Sequence, residues 1–387
     1  MVRTVRGEAF IRYGDSKRKL TPEEVRELEA DRGQVDVEQE RVRLVYPDDF
    51  DTAAVEGFID RVRKGMALDD RLSADEILEL RRLGRRKAGR FAPNLACALM
   101  FARDPCLLVP GCKVRFLRFD GDVEGAGVKF NVVKDLTVEG TVPEVIEATA
   151  DVLTHQLRDF SRLGPDNRFY TAPEYPRSAW YEAVVNACVH RSYGLMKNMN
   201  VFVKMFDNRL VIESPGGFPP PVTAETVYDI HQPRNPHLME AMRFLDYVKC
   251  AREGTRRMRE SMAGADLPAP EFEQKDISHA LVRVTLRNNI ALRKVWLDSD
   301  ASAVVGETVA QTLSEDERRA INFAAEHGRV NASQVQRLTQ RTWPQAQKLL
   351  LGLAQKGVLR HVHRRGLDRD PQAHFVLGAG AGRERGR

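Results

Sequence analysis

The stretch NVFVKMFDNRLVIESPGG, residues 200–217, decides the fold class. It contains two short runs in which apolar and other residues alternate, on either side of Asp207-Asn208. A period of two is the signature of a strand, and Asp-Asn is a turn dipeptide. The stretch therefore predicts a hairpin that leaves through a Pro215-Gly216-Gly217 turn.

Just upstream, YEAVVNACVHRSY (181–193) carries the other period. Glu182, Asn186 and His190 recur in steps of four, which places them on one helical face. Ala183, Val184, Val185, Ala187, Cys188 and Val189 fill the rest of the helix. A polar stripe on an apolar helix must be satisfied by protein partners or by a ligand, and the helix alone leaves both readings open. The ligand reading is chemically specific. A carboxylate one turn from a carboxamide suits a phosphate–Mg²⁺ site, because Mg²⁺ takes oxygen ligands and keeps several waters. The carboxylate can orient or deprotonate an attacking water.

The remaining segments alternate between the two periods. GEAFIRYG (7–14) reads as a strand. Helices are expected after Thr21, with Pro22 and Glu24 completing a capping-box pattern, from Asp51, and after Ser73. APNLACALMFARDP (92–105) reads as a buried helix or a helix–strand join. KVRFLRF (113–119) and part of 127–140 read as strands, and 142–163 as one long helix. Helices are also expected after Pro236 and from Gly254 to Gly264, and ISHALVRVTLRN (277–288) as a closing strand. Helix, hairpin, helices, strand is the order of an α/β (α+β) sandwich on an antiparallel or mixed sheet.

Bulk composition bounds the function. The chain has 387 residues, 42% hydrophobic and 30% charged, which fits a folded protein of two or three domains. No apolar run approaches the roughly 20 residues of a membrane span, and MVRTVRGEAFIRYG has no signal core, so a cytoplasmic protein is expected. The five cysteines are scattered and the nine histidines dispersed, so neither suggests a metal. The net charge of +5 is concentrated at one end. From Thr312 onward there are 14 Lys/Arg against 7 Asp/Glu, a local excess that suits a polyanion partner. A solvated basic tail is the alternative.

EAVVNACVHRSY, then DNRLVIESPGGFP, RNPHLMEAM and EGTRRM, in this order and spacing, resembles a family of bacterial transcriptional regulators. Those proteins join a Schlafen-type AlbA-like DNA-binding domain to a divergent GHKL-type ATPase domain, and many carry a RecG-like ATP-dependent helicase label. The resemblance spans about 7–377. It implies ATP and Mg²⁺ as cofactors, with Glu182 as general base and Asn186 as the Mg²⁺ ligand. It places His190 and Arg191 on the family's HR pair, Arg234-Asn235-Pro236 on its RNP turn, and Gly216-Gly217 and Gly254-Thr255 on its two glycine boxes. Two positions depart from the pattern. Ser214 stands where the GHKL pattern has the Asp that receives the adenine amino group, and Arg256 stands where the second box has its last glycine. Both bear on turnover more than on binding. AFIRYGDSKRKLTPEEVREL matches only the final part of the AlbA-like domain, so residues 1–50 are expected to be a remnant of it. No GxxxxGK[ST] phosphate loop occurs, so helicase activity is not expected.

Beyond a charged linker (about 289–313), SEDERRAINFAAEHG, NASQVQRLTQ and RTWPQAQKLLLGLAQKGVL read as three helices, followed by a hairpin. That order predicts a winged helix-turn-helix over 312–377, before a disordered tail at 378–387. Its recognition helix would start near Thr342. Gln345 and Gln347 would reach base edges of double-stranded DNA, and Arg341, Lys348, Arg364 and Arg365 would meet phosphates. The expected organisation is 1–50, a connecting α/β region at 51–175, a nucleotide domain at 176–290 and the winged helix. The expected function is a homodimeric DNA-binding regulator responsive to nucleotide. An ATPase with a protein-recruiting winged helix, or a scaffold that binds nothing, are the alternatives.

Overall fold

The computed structural model describes residues 8–13, 15–87, 89–163, 169–248, 253–265, 267–276, 280–288, 296–298, 305, 309, 313–363 and 373–378. Arg364, Arg365, Cys250 and the expected tail after Gly378 lie outside the described residues, as does most of the expected linker. The chain forms two compact units, 1–156 with 175–288 and 157–174 with 289–387.

The first unit opens with the hairpin β1 (Phe10–Tyr13) and β2 (Ser16–Lys19) and helix α1 (Pro22–Asp31). Thr21 and Glu24 make the expected capping box, and Ser73 and Glu76 make another at α3 (Ala74–Leu80). Helix α2 (Thr52–Met66) buries Val55, Phe58, Ile59 and Val62, the stripe its period requires. The small hairpin β3 (Gly84–Lys87) and β4 (Arg90–Pro93) leads into α4 (Leu95–Phe101), every residue of which is buried.

The second half of this unit is a six-stranded sheet. Its strands are β5 (Lys113–Phe119), β6 (Val132–Glu139), β9 (Val201–Met205), β10 (Arg209–Pro215), β11 (Glu271–Asp276) and β12 (Ala280–Arg287). The order across the sheet is β11-β12-β10-β9-β5-β6. Only β5 and β9 run parallel, with Phe116 opposite Val203, so the sheet is mixed. Helices α5 (Val142–Gln156), α6 (Arg177–Val189), α7 (Pro236–Phe244) and α8 (Gly254–Gly264) complete the unit. The boundary expected at 175 does not divide this sheet, because β5 and β6 pair into it from upstream. Val184, Val185 and Val189 of α6 are at most 2% exposed. Burial of each contributes roughly 1.5–3 kcal/mol.

One expectation fails at 142–163. The helix stops at Gln156, and β7 (Asp159–Leu163) follows as a strand of the second unit. It lies between β8 (Phe169–Pro173) and β13 (Trp296–Asp298). Long-range pairing on both sides overrides the local helical spacing. The rest of this unit comprises α9 (Glu315–His327), α10 (Ala332–Thr339), α11 (Trp343–Gln355) and the hairpin β14 (Leu359–Val362) with β15 (His374–Leu377). Ile321, Val335, Leu350, Leu353 and Leu359 share one core.

Candidate functional site

The polar stripe of α6 faces a cleft. Glu182, Asn186 and His190 form one wall, and Ile212, Ser214, Phe272, Val282 and Val284 line the floor. Ser214 lies opposite Val282, and Ile212 opposite Val284, so the same face of β10 and β12 supplies four of these side chains. Phe272 of β11 lies opposite Val284 and extends that face. Gly216, Gly217, the loop around Val227–Gln232, and Gly254-Thr255 close the remaining sides. Eight residues expected to meet a ligand therefore share one cleft: Glu182, Asn186, His190, Ser214, Gly216, Gly217, Gly254 and Thr255.

The first turn of α8 is built around Glu182. A Cβ at Gly254 would stand 2.1 Å from Glu182 Oε1, so a larger residue at that helix start would displace the carboxylate from its present position. Asn186 Nδ2 donates to the same oxygen at 3.3 Å. Arg257 donates to Oε2 at 2.5 Å. The next residues hold the overlying loop: Thr255 Oγ1 donates to Val227 O at 2.9 Å and Arg256 Nε to Tyr228 O at 2.8 Å. Arg256 also pairs with Asp229. It neither reaches into the cleft nor blocks it, so the missing glycine is replaced by a loop anchor. On its far side the loop is tied by Phe218 N to Gln274 Oε1 and by Tyr228 OH to Pro270 O, both at 2.8 Å.

Three expected ligand contacts prove to be frame. Arg191 is 2% exposed and donates to the carbonyls of Gly111, Met196 and Met199, holding the loop after α6. Asn235 Nδ2 donates to Val189 O and Arg191 O, the open carbonyls at the end of α6. Arg234 donates to Glu27 Oε1 and to Gly217 O, both at 2.8 Å. A helix end and a glycine turn need donors, and these motif residues supply them. Asn235 makes no side-chain cap on α7, and Glu38 meets the start of that helix instead, accepting from His237 N and Leu238 N, each at 2.7 Å. Asp36, Glu38 and His237 are the one group of three metal-capable side chains among the described residues, and Glu38 serves there as a helix cap.

Electrostatics at the other end of the cleft favour a neutral imidazole. Burial, then the charges of His231 and Arg234, hold His190 down at about 3. Among the described residues, its buried Nδ1 has no hydrogen-bond partner. Ser214 Oγ donates to Ala187 O at 2.8 Å. The hydroxyl hydrogen is thus committed, and only lone pairs remain for a ligand. Asn186 likewise commits its Nδ2 and keeps its carbonyl oxygen. A carboxamide oxygen beside a carboxylate is a hard donor set that fits Mg²⁺ shared with phosphates and water.

In the second unit Thr342 N donates to Gln345 Oε1 at 3.0 Å, and Arg341 pairs with Asp316 at 2.6 Å. Lys348 is exposed and Gln347 half-buried. Sequence reasoning passed over Arg257, although it lies in the quoted EGTRRM. It also passed over Phe272, Val282 and Val284, whose alternation in β11 and β12 was the available signal.

A mixed α/β sandwich with a glycine-closed cleft is the class that this geometry defines. The family comparison agrees with it. Residues 198–286 match the family described as "Putative ATP-dependent DNA helicase recG C-terminal", an HATPase-type domain. This part of the chain is similar to a divergent HATPase-type domain. Glu182 and Asn186 precede the matched segment and reach the cleft through α6. The crystal structure of the DIP2311 protein from Corynebacterium diphtheriae is similar at 21% identity, over 97% of this chain and 71% of that one, with a TM-score of 0.49. No curated protein matches the chain. Among the described residues, no helix is long and apolar enough to cross a membrane.

Proposed function

We propose that the chain is a cytoplasmic DNA-binding regulator whose cleft takes an adenine nucleotide with Mg²⁺. The observation that carries this reading is the convergence of Glu182, Asn186, Ser214, Gly216 and Gly254 on one cleft, from segments far apart in sequence. Ser214 Oγ accepts the exocyclic amino group of the base, the part an Asp plays in the resembled family. Phe272, Val282 and Val284 give the base an apolar floor. Asn186 would hold Mg²⁺ through its carbonyl oxygen. When bound, that ion neutralises phosphate charge. The three helices and hairpin of the second unit act as a winged helix on duplex DNA, as a homodimer on paired half-sites. Nucleotide binding sets the affinity for DNA.

Titration of Mg-ATP by calorimetry tests the nucleotide half. Saturable heat is expected for the intact protein and is lost in Asn186→Ala. A folded protein that gives neither heat nor a thermal shift would make the stripe structural.

A second reading has its own support. Trp343 is 46% exposed at the start of α11, while Gln345 and Arg341 already have protein partners. An exposed indole with its polar neighbours engaged suits a protein partner of the winged helix, with the cleft acting as an ATPase. A salt-independent association would favour it.

A further inference from the structure

Glu182 stands where the resembled family has its general base, and each of its oxygens already accepts a hydrogen bond. Oε1 lies against Gly254 and accepts from Asn186, and Oε2 accepts from Arg257 at 2.5 Å. Two elements built this arrangement independently. Helix α6 aims the side chain, and α8 supplies both the glycine that admits it and, one turn on, the guanidinium that holds it. An ion pair of this exposure, 16% for the Glu182 side chain and 39% for Arg257, contributes little to stability. Its consequence is positional. A carboxylate that is to take a proton from water needs a lone pair directed at that water. Here a guanidinium hydrogen competes for the same oxygen.

We infer that Arg257 is a positioning residue that holds Glu182 away from water and makes the cleft one that binds nucleotide without turning it over. The inference rests on the nucleotide reading above. In hydrolysis a water oxygen would bond to the terminal phosphorus, and the bond to the leaving diphosphate oxygen would break. The water proton would pass to Glu182 and then to solvent, giving nucleoside diphosphate and phosphate. Arg257 competes for the lone pairs that the proton-accepting part of that step needs. It also explains how a site can keep the carboxylate and carboxamide of an ATPase and act as a sensor.

The test uses the full chain and three variants: Arg257→Gln, Arg257→Lys and the double variant Arg257→Gln/Glu182→Gln. Phosphate release from Mg-ATP is followed beside calorimetric binding and thermal unfolding. The wild type is expected to bind with negligible release. Arg257→Gln is expected to raise kcat by about tenfold or more, with KM changed less than about threefold, since general-base action contributes 10²–10⁴-fold when complete. The double variant should fall back, and Arg257→Lys should stay slow because it keeps the cation. A merely structural role would move stability and leave kcat alone. An unchanged rate in Arg257→Gln with binding intact overturns the inference, as does loss of binding in that variant, which would make Arg257 a ligand contact. Absence of binding by the wild type overturns the nucleotide reading beneath it, and is told apart by the calorimetric trace.

Discussion

Gly254→Ala isolates the close approach of α8 to α6. The added Cβ would fall 2.1 Å from Glu182 Oε1 and 2.9 Å from its Cδ, so one of the two must give way. The carboxylate is the end of a flexible side chain and will move first. Moving it breaks the 3.3 Å bond from Asn186 and the half-exposed pair with Arg257. The first loss costs about 0.5–1.5 kcal/mol and the second about 0–1. A displaced rotamer adds roughly 0.5–1.5 kcal/mol, while alanine in a helix returns up to about 1 kcal/mol. The net expectation is a loss of about 1–2 kcal/mol. If Glu182 is first cut back to alanine, the three atoms nearest the new methyl are gone, and Gly254→Ala becomes neutral or mildly stabilising. A double-mutant cycle should therefore show coupling of about 1–2 kcal/mol. The assay is urea unfolding followed by Trp180, which is 3% exposed on α6, with Trp296 and Trp343 replaced by phenylalanine. Equal costs with and without the Glu182 carboxylate would refute the claim that this contact fixes the glycine.

Asn235→Ala leaves Val189 O and Arg191 O without their buried donor and should destabilise the first unit by about 2–4 kcal/mol, read as a lowered unfolding midpoint. His190 is held at about 3 from an ordinary 6.5, so the unfolded chain binds the extra proton between those values and stability falls as the pH falls through that window. The wild type should lose up to about 1.4 kcal/mol per pH unit there relative to His190→Gln, measured by unfolding at pH 6.5 and 5. Duplex DNA binding by the intact protein should weaken linearly on a log-log salt plot, and Arg341→Ala with Lys348→Ala should flatten the slope by about 2. A wild-type slope near zero would count against the DNA reading.

Much of the fold was legible because local signals agreed. The hairpin about Asp207-Asn208, the caps at Thr21 and Ser73 and the span of α8 appear where the sequence reading expects them. Long-range pairing was not legible. Nothing in KVRFLRF announces a parallel partner at Val201–Met205, and nothing in 159–163 announces neighbours on both sides. The candidate site divides in the same way. Spacing by four correctly put Glu182, Asn186 and His190 on one wall. The HR and RNP residues are also close to the cleft in sequence terms, but their side chains answer a need that a linear pattern does not display. Carbonyls at the end of α6 and at Gly217 require donors, which Asn235 and Arg234 provide, while Arg191 holds the carbonyls of Gly111, Met196 and Met199. A motif records which residues recur together; it does not record which way they point.

The first turn of α8 joins the features that bear on function. Gly254 admits the carboxylate, Thr255 and Arg256 fasten the loop over the cleft, and Arg257 fastens Glu182. These four residues are consecutive, so a shift of this turn must alter the loop and the carboxylate together. A ligand that touches either is therefore felt by both, without a relay of intervening side chains. Phosphates at the helix start would meet open backbone N–H groups, because Glu253 makes no side-chain cap there. They would compete with Glu182 for that position. On the proposed nucleotide reading, the Glu182 carboxylate that the site already contains would be the anion an incoming phosphate has to displace.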